Sequence, residues 1–290
     1  MDILKYEVLL RAVDRGSISR AALELDYTQS GISHMMRSLE DEFGFPVLNR
    51  CHSGVTLTKD GEKIIPYIRA LVQANNLLQQ NRSEIKGLHE GSLTIGSLTS
   101  ITITYLFPVM KAFHADYPNI TINLLDGTTD DLSARLSSNS LDIGFFGIKP
   151  HMPFNCYELA DDPIYAILPL NHPMANQKSF PVDEFKKNRF VITTLCEEFD
   201  VISMMKLAGV SMECPFSSRD TYATIGMVEN GFGVSIMPKL VLTSWQSKVA
   251  AIELDPPAFR RLGMFTSIDA ELSPAARKFV DYCKHIIPKL

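Results

Sequence analysis

No stretch of this 290-residue chain approaches the roughly 18 consecutive apolar residues that suggest a membrane span. Its opening, MDILKYEVLLRAVDR, carries charges throughout and has no separate apolar core followed by a small-residue cleavage site. A cytoplasmic protein without a membrane partner is therefore expected. Cysteine is scarce: the five are scattered, odd in number and never in CxxC spacing, so neither a zinc site nor a disulfide framework is legible. The seven histidines form no HExxH and no i, i+4 pair, and neither a GxSxG elbow nor a GxxxxGK loop occurs. No catalytic residue, metal site or cofactor is nominated. Positive charge is also short, with a formal net charge of -5. Residues 1–58 hold six Lys/Arg against eight Asp/Glu, and residues 59–88 hold five against three. The electrostatic footprint of a nucleic-acid binder is absent in bulk.

What is present begins at Ser17. The stretch to Arg50, SISRAALELDYTQSGISHMMRSLEDEFGFPVLNR, reads as two short helices joined by a tight turn, with a hairpin after the second. Ser17 or Ser19 can cap the first helix, whose apolar face is Ile18, Ala21, Ala22 and Leu25. Leu25-Asp26-Tyr27 is the break, and Thr28 is a suitable N-cap for the next helix. Ile32, Met35, Met36 and Leu39 then recur at i, i+3, i+4, i+7 as one buried stripe. The remaining faces carry Gln29, Ser30, Ser33, His34 and Arg37, side chains that hydrogen-bond base edges and phosphates. An ordinary surface helix would carry polar residues there too, so the pattern alone does not decide.

Order and spacing do more. Gly16-Ser17, Ala21-Ala22, Gln29-Ser30, Ser33, Leu39-Glu40 and Gly44, ending at Arg50, resemble the N-terminal signature of the LysR-type transcriptional regulators, and the resemblance continues through the chain. Gly31 departs from the Pro or Ala that many members carry. The resemblance implies an α/β protein in three parts. These are a mainly α winged helix-turn-helix over residues 1–58, a long linker helix over 59–88, and a two-lobed α/β effector domain of periplasmic-binding-protein type over 89–290. Lobe I is expected at about 91–161 and 268–290, and lobe II at about 162–267. Double-stranded DNA is the implied partner, contacted by Arg20, Thr28, Gln29, Ser30, Ser33, His34, Arg37, Arg50, His52 and Ser53. Arg20, Arg37, Arg50 and Lys59 would have to form a local basic patch, with Glu40, Asp41 and Glu42 turned away. Some family members sense peroxide through two cysteines, but the separation of Cys196 and Cys214 does not match their short spacing.

Along the rest of the chain, residues 3–15 read as a first helix with Leu4, Val8, Ala12 and Val13 inward, Asp2 as cap and Gly16 as stop. Phe45 to Leu57 suits the wing, with His52-Ser53-Gly54 at its tip. Thr58 caps the linker helix, where Ile64, Ile68, Leu71, Asn75, Leu78, Arg82 and Ile85 repeat as a coiled-coil seam and Pro66 predicts a kink. A homodimer or homotetramer on a partly palindromic site follows, although a helix packed on its own chain gives a similar stripe. Gly87 to Gly91 is the expected hinge. Strand, helix, strand, helix, strand to Phe146 then implies a parallel sheet. Asp161-Asp162-Pro163 is the crossing to the second lobe, with a helix over 201–207, and Leu262 to Ile268 is the return. Gly231 and Gly233 are expected to give the positive-φ turn into a strand, and Ser273-Pro274 to start the last helix.

Ligands of open α/β sheets bind at the carboxyl ends of strands. Thr99, Ser100, Thr128, Thr129 and Phe146 from one lobe and Thr193, Thr194 and Phe199 from the other are the candidate effector contacts. Hydroxyls and N–H groups at helix starts favour a small carboxylate or other small anion. The lack of an obvious cleft arginine argues against a dicarboxylate or phosphate. Capping is the alternative role of each Ser and Thr. A two-lobed binding protein or enzyme whose winged helix serves protein contacts only is the rival reading, and RNA polymerase joins the partners if the protein activates.

Overall fold

The computed structural model describes residues 2–51, 54–86, 90–193, 205, 209–210, 216–218, 220–243 and 248–290. The expected hinge residues Gly87, Leu88 and His89, most of the helix expected over 201–207, and Cys196 and Cys214 lie outside these residues. The chain forms two compact units, residues 1–91 with 138–140, and residues 92–137 with 141–290.

In the first unit, α1 (Ile3–Arg15) is capped by Asp2, whose carboxylate accepts the Leu4 N–H at 3.1 Å, and it stops at Gly16 with φ 60°. Tyr6, Val8, Leu9, Leu10 and Ala12 are buried. Leu4, expected inward, is exposed, because the α1 face is turned toward Leu9 and Leu10. Ser17 caps α2 (Ile18–Glu24). Past its end Asp26 takes φ 57° while the Tyr27 N–H reaches the Ala22 carbonyl at 3.0 Å. That closes a left-handed helix stop with aspartate, one of the few non-glycine residues that tolerates the conformation. Thr28 caps α3 (Gln29–Phe43), its hydroxyl accepting the Gly31 N–H at 3.1 Å. Ile32, Met36 and Leu39 are buried with Met35 packed beside them, as the periodicity predicts.

β1 (Leu48–Cys51) and β2 (Gly54–Leu57) pair antiparallel as the wing. Thr58 then joins wing to linker: its hydroxyl accepts the Gly61 N–H at 2.9 Å and donates to the Pro46 carbonyl at 2.8 Å. A Cβ on Gly61 would stand 2.4 Å from the Val47 carbonyl oxygen, so only glycine lets helix and wing approach this closely. The linker, α4 (Lys59–Ile85), runs as one helix through Pro66. Its predicted seam divides. Ile64, Ile68 and Leu71 join Ile65 and Val72 in the core of their own unit. Leu78 and Ile85 remain 64% and 86% exposed.

In the second unit, β3 (Gly91–Ser97) leads into α5 (Thr99–Ile101), a π-helical turn over Thr102–Leu106 and α6 (Phe107–Asp116). Next come β4 (Ile120–Asp126), α7 (Thr129–Ser137) and β5 (Ile143–Gly147). β6 (Phe154–Pro169), β7 (Ser179–Pro181), β8 (Ile192–Thr193) and β9 (Ser217–Ser218) follow. α8 (Thr221–Glu229), β10 (Ser235–Pro238), α9 (Lys239–Thr243), β11 (Val249–Ser267) and α10 (Pro274–Ile286) complete it. The main sheet runs β10-β6-β11-β5-β3-β4, with β7 beside β11. β3 and β5 are parallel, Ile95 opposite Ile143.

Among the described residues the two largest of four cores of this unit lie along this sheet. Leu93, Ile95, Phe113, Ile143, Leu262 and Phe279 belong to one, and Ile164, Leu168, Phe180, Phe185, Ile236 and Ile252 to the other. β6 and β11 serve both, so the crossing at Asp161-Asp162-Pro163 is an unbroken strand. They pair antiparallel from Val249–Pro169 to Ser267–Phe154, with register shifts between Glu253 and Ala258 and between Leu262 and Gly263. Leu262 to Phe265 pairs with β5, within the stretch expected to return to the first lobe. Gly231 has the expected positive φ of 75°. Gly233 is glycine for a different reason: a Cβ there would meet the Arg189 carbonyl oxygen at 2.2 Å, and that carbonyl accepts the Val234 N–H.

Candidate functional site

α3 is held by its buried stripe and presents a polar edge. Thr28, Gln29, Ser30, His34 and Arg37 are exposed, Ser33 is half-buried, and Arg20 is exposed on α2. Among the described residues no ion pair involves Arg20 or Arg37. Two of the three nearby acids, Glu40 and Glu42, are spent on structure, while Asp41 is exposed. Glu40 accepts the backbone N–H groups of Val47 at 2.9 Å and Leu48 at 3.0 Å through Oε1. Through Oε2 it holds the Arg50 guanidinium at 3.2 Å. Glu42 pairs with Lys5, which holds its carboxyl below the ordinary range. Neither Glu40 nor Glu42 is paired with Arg20 or Arg37, so those two guanidinium groups stay exposed on α2 and α3. Glu40 ties the wing to α3 and fixes Arg50 beside it. His52 and Ser53, the predicted wing contacts, lie outside the described residues.

The second set divides. Phe146 is fully buried and stacks on Phe265 at 4.2 Å with an interplanar angle of 6°. The expectation of a ligand contact there is corrected, because β5 points this ring into the core. Thr128 serves as a cap: its hydroxyl accepts the Asp131 N–H at 3.1 Å and donates to the Asp131 carboxylate at 2.8 Å. Thr129 accepts the Gly147 N–H at 3.4 Å, binding α7 to the carboxyl end of β5. The buried Thr193 hydroxyl donates to Thr224 at 2.9 Å, and Thr224 donates to the Asp220 carbonyl. Thr194 and Phe199 lie outside the described residues.

Thr99 is exposed at the carboxyl end of β3, and Ser100 beside it reaches the lobe junction. Arg260 of β11 donates from its Nη2 to Ser100 Oγ at 2.7 Å. Its Nε donates to Asp162 of β6 at 2.8 Å, and the two residues lie directly opposite in the antiparallel ladder. Asp162 also accepts the Leu240 N–H at the start of α9 at 3.0 Å. The side chains of Arg260 and Asp162 are 7% and 1% exposed. One buried ion pair thus joins the first helix start of one lobe, both crossing strands and α9. Burial, with the Asp162 charge second, pushes the Tyr105 hydroxyl above its ordinary range. The sequence reading nominated Ser100 but missed its partner. A signal was available: Asp161-Asp162 in one crossing and Arg260-Arg261 near the other are two acids facing two bases in antiparallel strands. Beyond the single residues, a π-helical turn over Thr102–Leu106 directly follows α5, a distortion frequent at functional sites.

Residues 4–62 match the bacterial regulatory helix-turn-helix of the LysR family, and residues 86–286 match the LysR substrate binding domain. Among curated relatives, the RuBisCO operon transcriptional regulator of Allochromatium vinosum is 30% identical over 92% of this chain and 90% of its own. The transcriptional dual regulator GltC of Bacillus subtilis is 25% identical over 100% of this chain and 99% of its own. Among solved structures, full-length CbnR complexed with its target DNA aligns with TM-score 0.66 at 18% identity, covering 98% of this chain and 99% of that one. No described helix is long and apolar enough to cross a membrane. With a winged helix-turn-helix in its first unit and a two-lobed α/β domain in its second, this chain belongs to the LysR family of bacterial transcriptional regulators.

Proposed function

We propose that this regulator reads a partly palindromic DNA site through α3 in the cytoplasm, as a homodimer or homotetramer, and has no enzymatic activity. The observation that carries this is the exposed polar edge of α3, with Gln29, Ser30, His34 and Arg37, on a helix whose opposite face is core. Gln29, Ser33 and His34 read base edges in the major groove, while Arg20, Arg37 and Arg50 hold phosphates, with Thr28 and Ser30 at the helix start. Complexes of the CbnR kind make duplex DNA the natural ligand. Exposed Leu78 and Ile85 on the distal half of α4 supply apolar surface for a second copy. A small molecule at the lobe junction, near Thr99 and Ser100, changes the quaternary state and with it DNA binding or contact with RNA polymerase. To act, it must bind two such states with different affinity.

Gel shifts on the DNA upstream of the protein's own gene test the assignment. Arg37→Ala is expected to weaken binding by similar factors on all sequences and to lower the salt slope by about one. Gln29→Ala is expected to relax preference at one base position, a discrimination of about 1–3 kcal/mol. The reverse pattern, or no preference over bulk DNA at low salt, refutes it.

A further inference from the structure

We propose that the buried pair of Asp162 and Arg260 is a latch that holds the two lobes of the second unit at one angle. When it opens, the lobes turn about two breaks in the strand pair, one on either side of it.

The crossing between the lobes is a short cassette of unbroken ladder. Residues 258–262 of β11 pair without interruption with residues 160–164 of β6, and Arg260 opposite Asp162 is the middle pair. On the second-lobe side Ile164 and Tyr165 are consecutive, while β11 carries residues 254–257 between their partners Ala258 and Glu253. Leu254 and Asp255 of that excursion pair with β7 instead. On the first-lobe side Leu262 and Gly263 are consecutive, while β6 carries Leu159 between their partners Ala160 and Glu158. Extra residues on one strand interrupt the ladder and let the strand bend there.

Each lobe is tied to the cassette through one member of the pair. Arg260 Nη2 donates to Ser100 Oγ at 2.7 Å, at the first helix of the first lobe. Asp162 Oδ2 holds Arg260 Nε at 2.8 Å, which leaves Oδ1 to accept the Leu240 N–H at 3.0 Å. Leu240 belongs to α9, which continues from β10 and sets Val241 and Leu242 against Ile225 and Met237 of the second lobe. The Leu240 side chain also packs against the first-lobe core, a contact without directional preference. Turning the first lobe about its break stretches the bond to Ser100, and turning the second stretches the bond to Leu240. The two charged side chains are 7% and 1% exposed, so a bond that parts here strands a buried polar group. Apolar residues often fill such a site with equal stability, and what the pair supplies is direction. Asp162 and Arg260 are therefore positioning residues for the lobes.

The test needs neither effector nor DNA, so it stands apart from the functional reading. Spin labels on ketone-bearing residues introduced at Lys178 and Asp281, exposed on the second and first lobe, report the distance between lobes in the full-length chain. Labelled chain is diluted into unlabelled chain so that only distances within one chain count. The parent is expected to show one narrow distance. Asp162→Asn with Arg260→Met removes both charges and keeps an acceptor for Leu240; its distribution is expected to broaden or gain a second maximum. Ser100→Ala cuts only the first-lobe tie and is expected to do the same to a smaller extent. Asp161→Asn with Arg261→Gln, the exposed pair beside the latch, is expected to keep the parent distribution. Hydrogen exchange by mass spectrometry locates the turn: in the neutral double variant it is expected to rise at residues 158–159 and to stay at the parent level at residues 161–164. A parent distribution already broad overturns the latch. So does a folded double variant that keeps the narrow distance, or a control pair that broadens equally. If the double variant does not fold, Ser100→Ala decides on the same criterion. Exchange that rises in the cassette and not beside it overturns the placing of the pivots.

Discussion

Replacing Glu40 with alanine is expected to loosen the wing without unfolding α3. Glu40 lies in the last turn of α3 with a side chain only 17% exposed, and a single oxygen, Oε1, receives the N–H groups of Val47 and Leu48. Both donors sit where the chain turns into β1, and Val47 and Leu48 are buried. Each bond is charge-assisted, worth about 1.5–3 kcal/mol in a protected setting. Water can reach part of the wing once the carboxylate is gone and recover some of that loss, so a net weakening of about 2 kcal/mol is the working figure. If local opening governs amide exchange, Val47 and Leu48 would exchange about thirtyfold faster, since about 1.4 kcal/mol is a factor of ten. Glu40→Gln retains an acceptor oxygen in place and loses the charge, so an increase of about threefold is expected. Arg50→Ala is the internal control: Arg50 uses the other oxygen, Oε2, so protection of the two amides should hardly change. Hydrogen exchange by NMR, or by mass spectrometry on a peptide spanning residues 45–50, reads all three. Glu40→Ala protection equal to the parent would refute the assignment of this carboxylate as the wing's anchor.

Gly61→Ala is expected to destabilise the first unit by about 1–3 kcal/mol, since the new methyl meets the backbone oxygen of Val47 and no flexible side chain can yield; denaturant melts of that unit read it, and an unchanged midpoint would refute the close approach. Asp142 offers a pH test. Burial raises its carboxyl above the ordinary range against the opposing Thr94 N–H at 2.7 Å. With the folded-state pKa raised, the folded protein keeps a proton that the unfolded chain releases, so the group's cost is full at neutral pH and fades as pH falls through that raised pKa. Asp142→Asn keeps an acceptor for Thr94 and should raise stability by about 1 kcal/mol or less at neutral pH. Its advantage should close in acid, and an advantage that grew in acid would reverse the sign of the argument.

Residues that act on their own neighbours in sequence were legible. Asp2, Ser17, Thr28, Thr58 and Ser273 each cap the helix that spacing predicts. Each needs only its own hydroxyl or carboxylate and an N–H two or three residues ahead. The shorter strands β3, β4, β5 and β10 were also legible, because their apolar runs sit between turn residues, whereas the long crossing strands β6 and β11 extend well beyond their apolar ends. Residues whose partners lie far along the chain were not. Phe146 reads as an aromatic at the end of a strand, and nothing near it announces Phe265, which stacks on it from β11. Thr193 reads as a free hydroxyl until α8 brings Thr224 against it.

The linker helix marks the boundary between these cases, since one periodicity served two surfaces. A stripe at spacings of four and three says that a face is apolar; it says nothing about what covers it. Over Ile64 to Leu71 the cover is the winged unit itself, drawn close by the glycine at 61 and the hydroxyl of Thr58. Beyond that the wing's own residues run out, and the same stripe emerges bare at Leu78 and Ile85. An oligomer built on α4 must therefore use its distal half, near Leu78 and Ile85. Charged substitutions at Leu78 and Ile85 should weaken association, whereas one at Ile68 should unfold the winged unit before it separates any subunits.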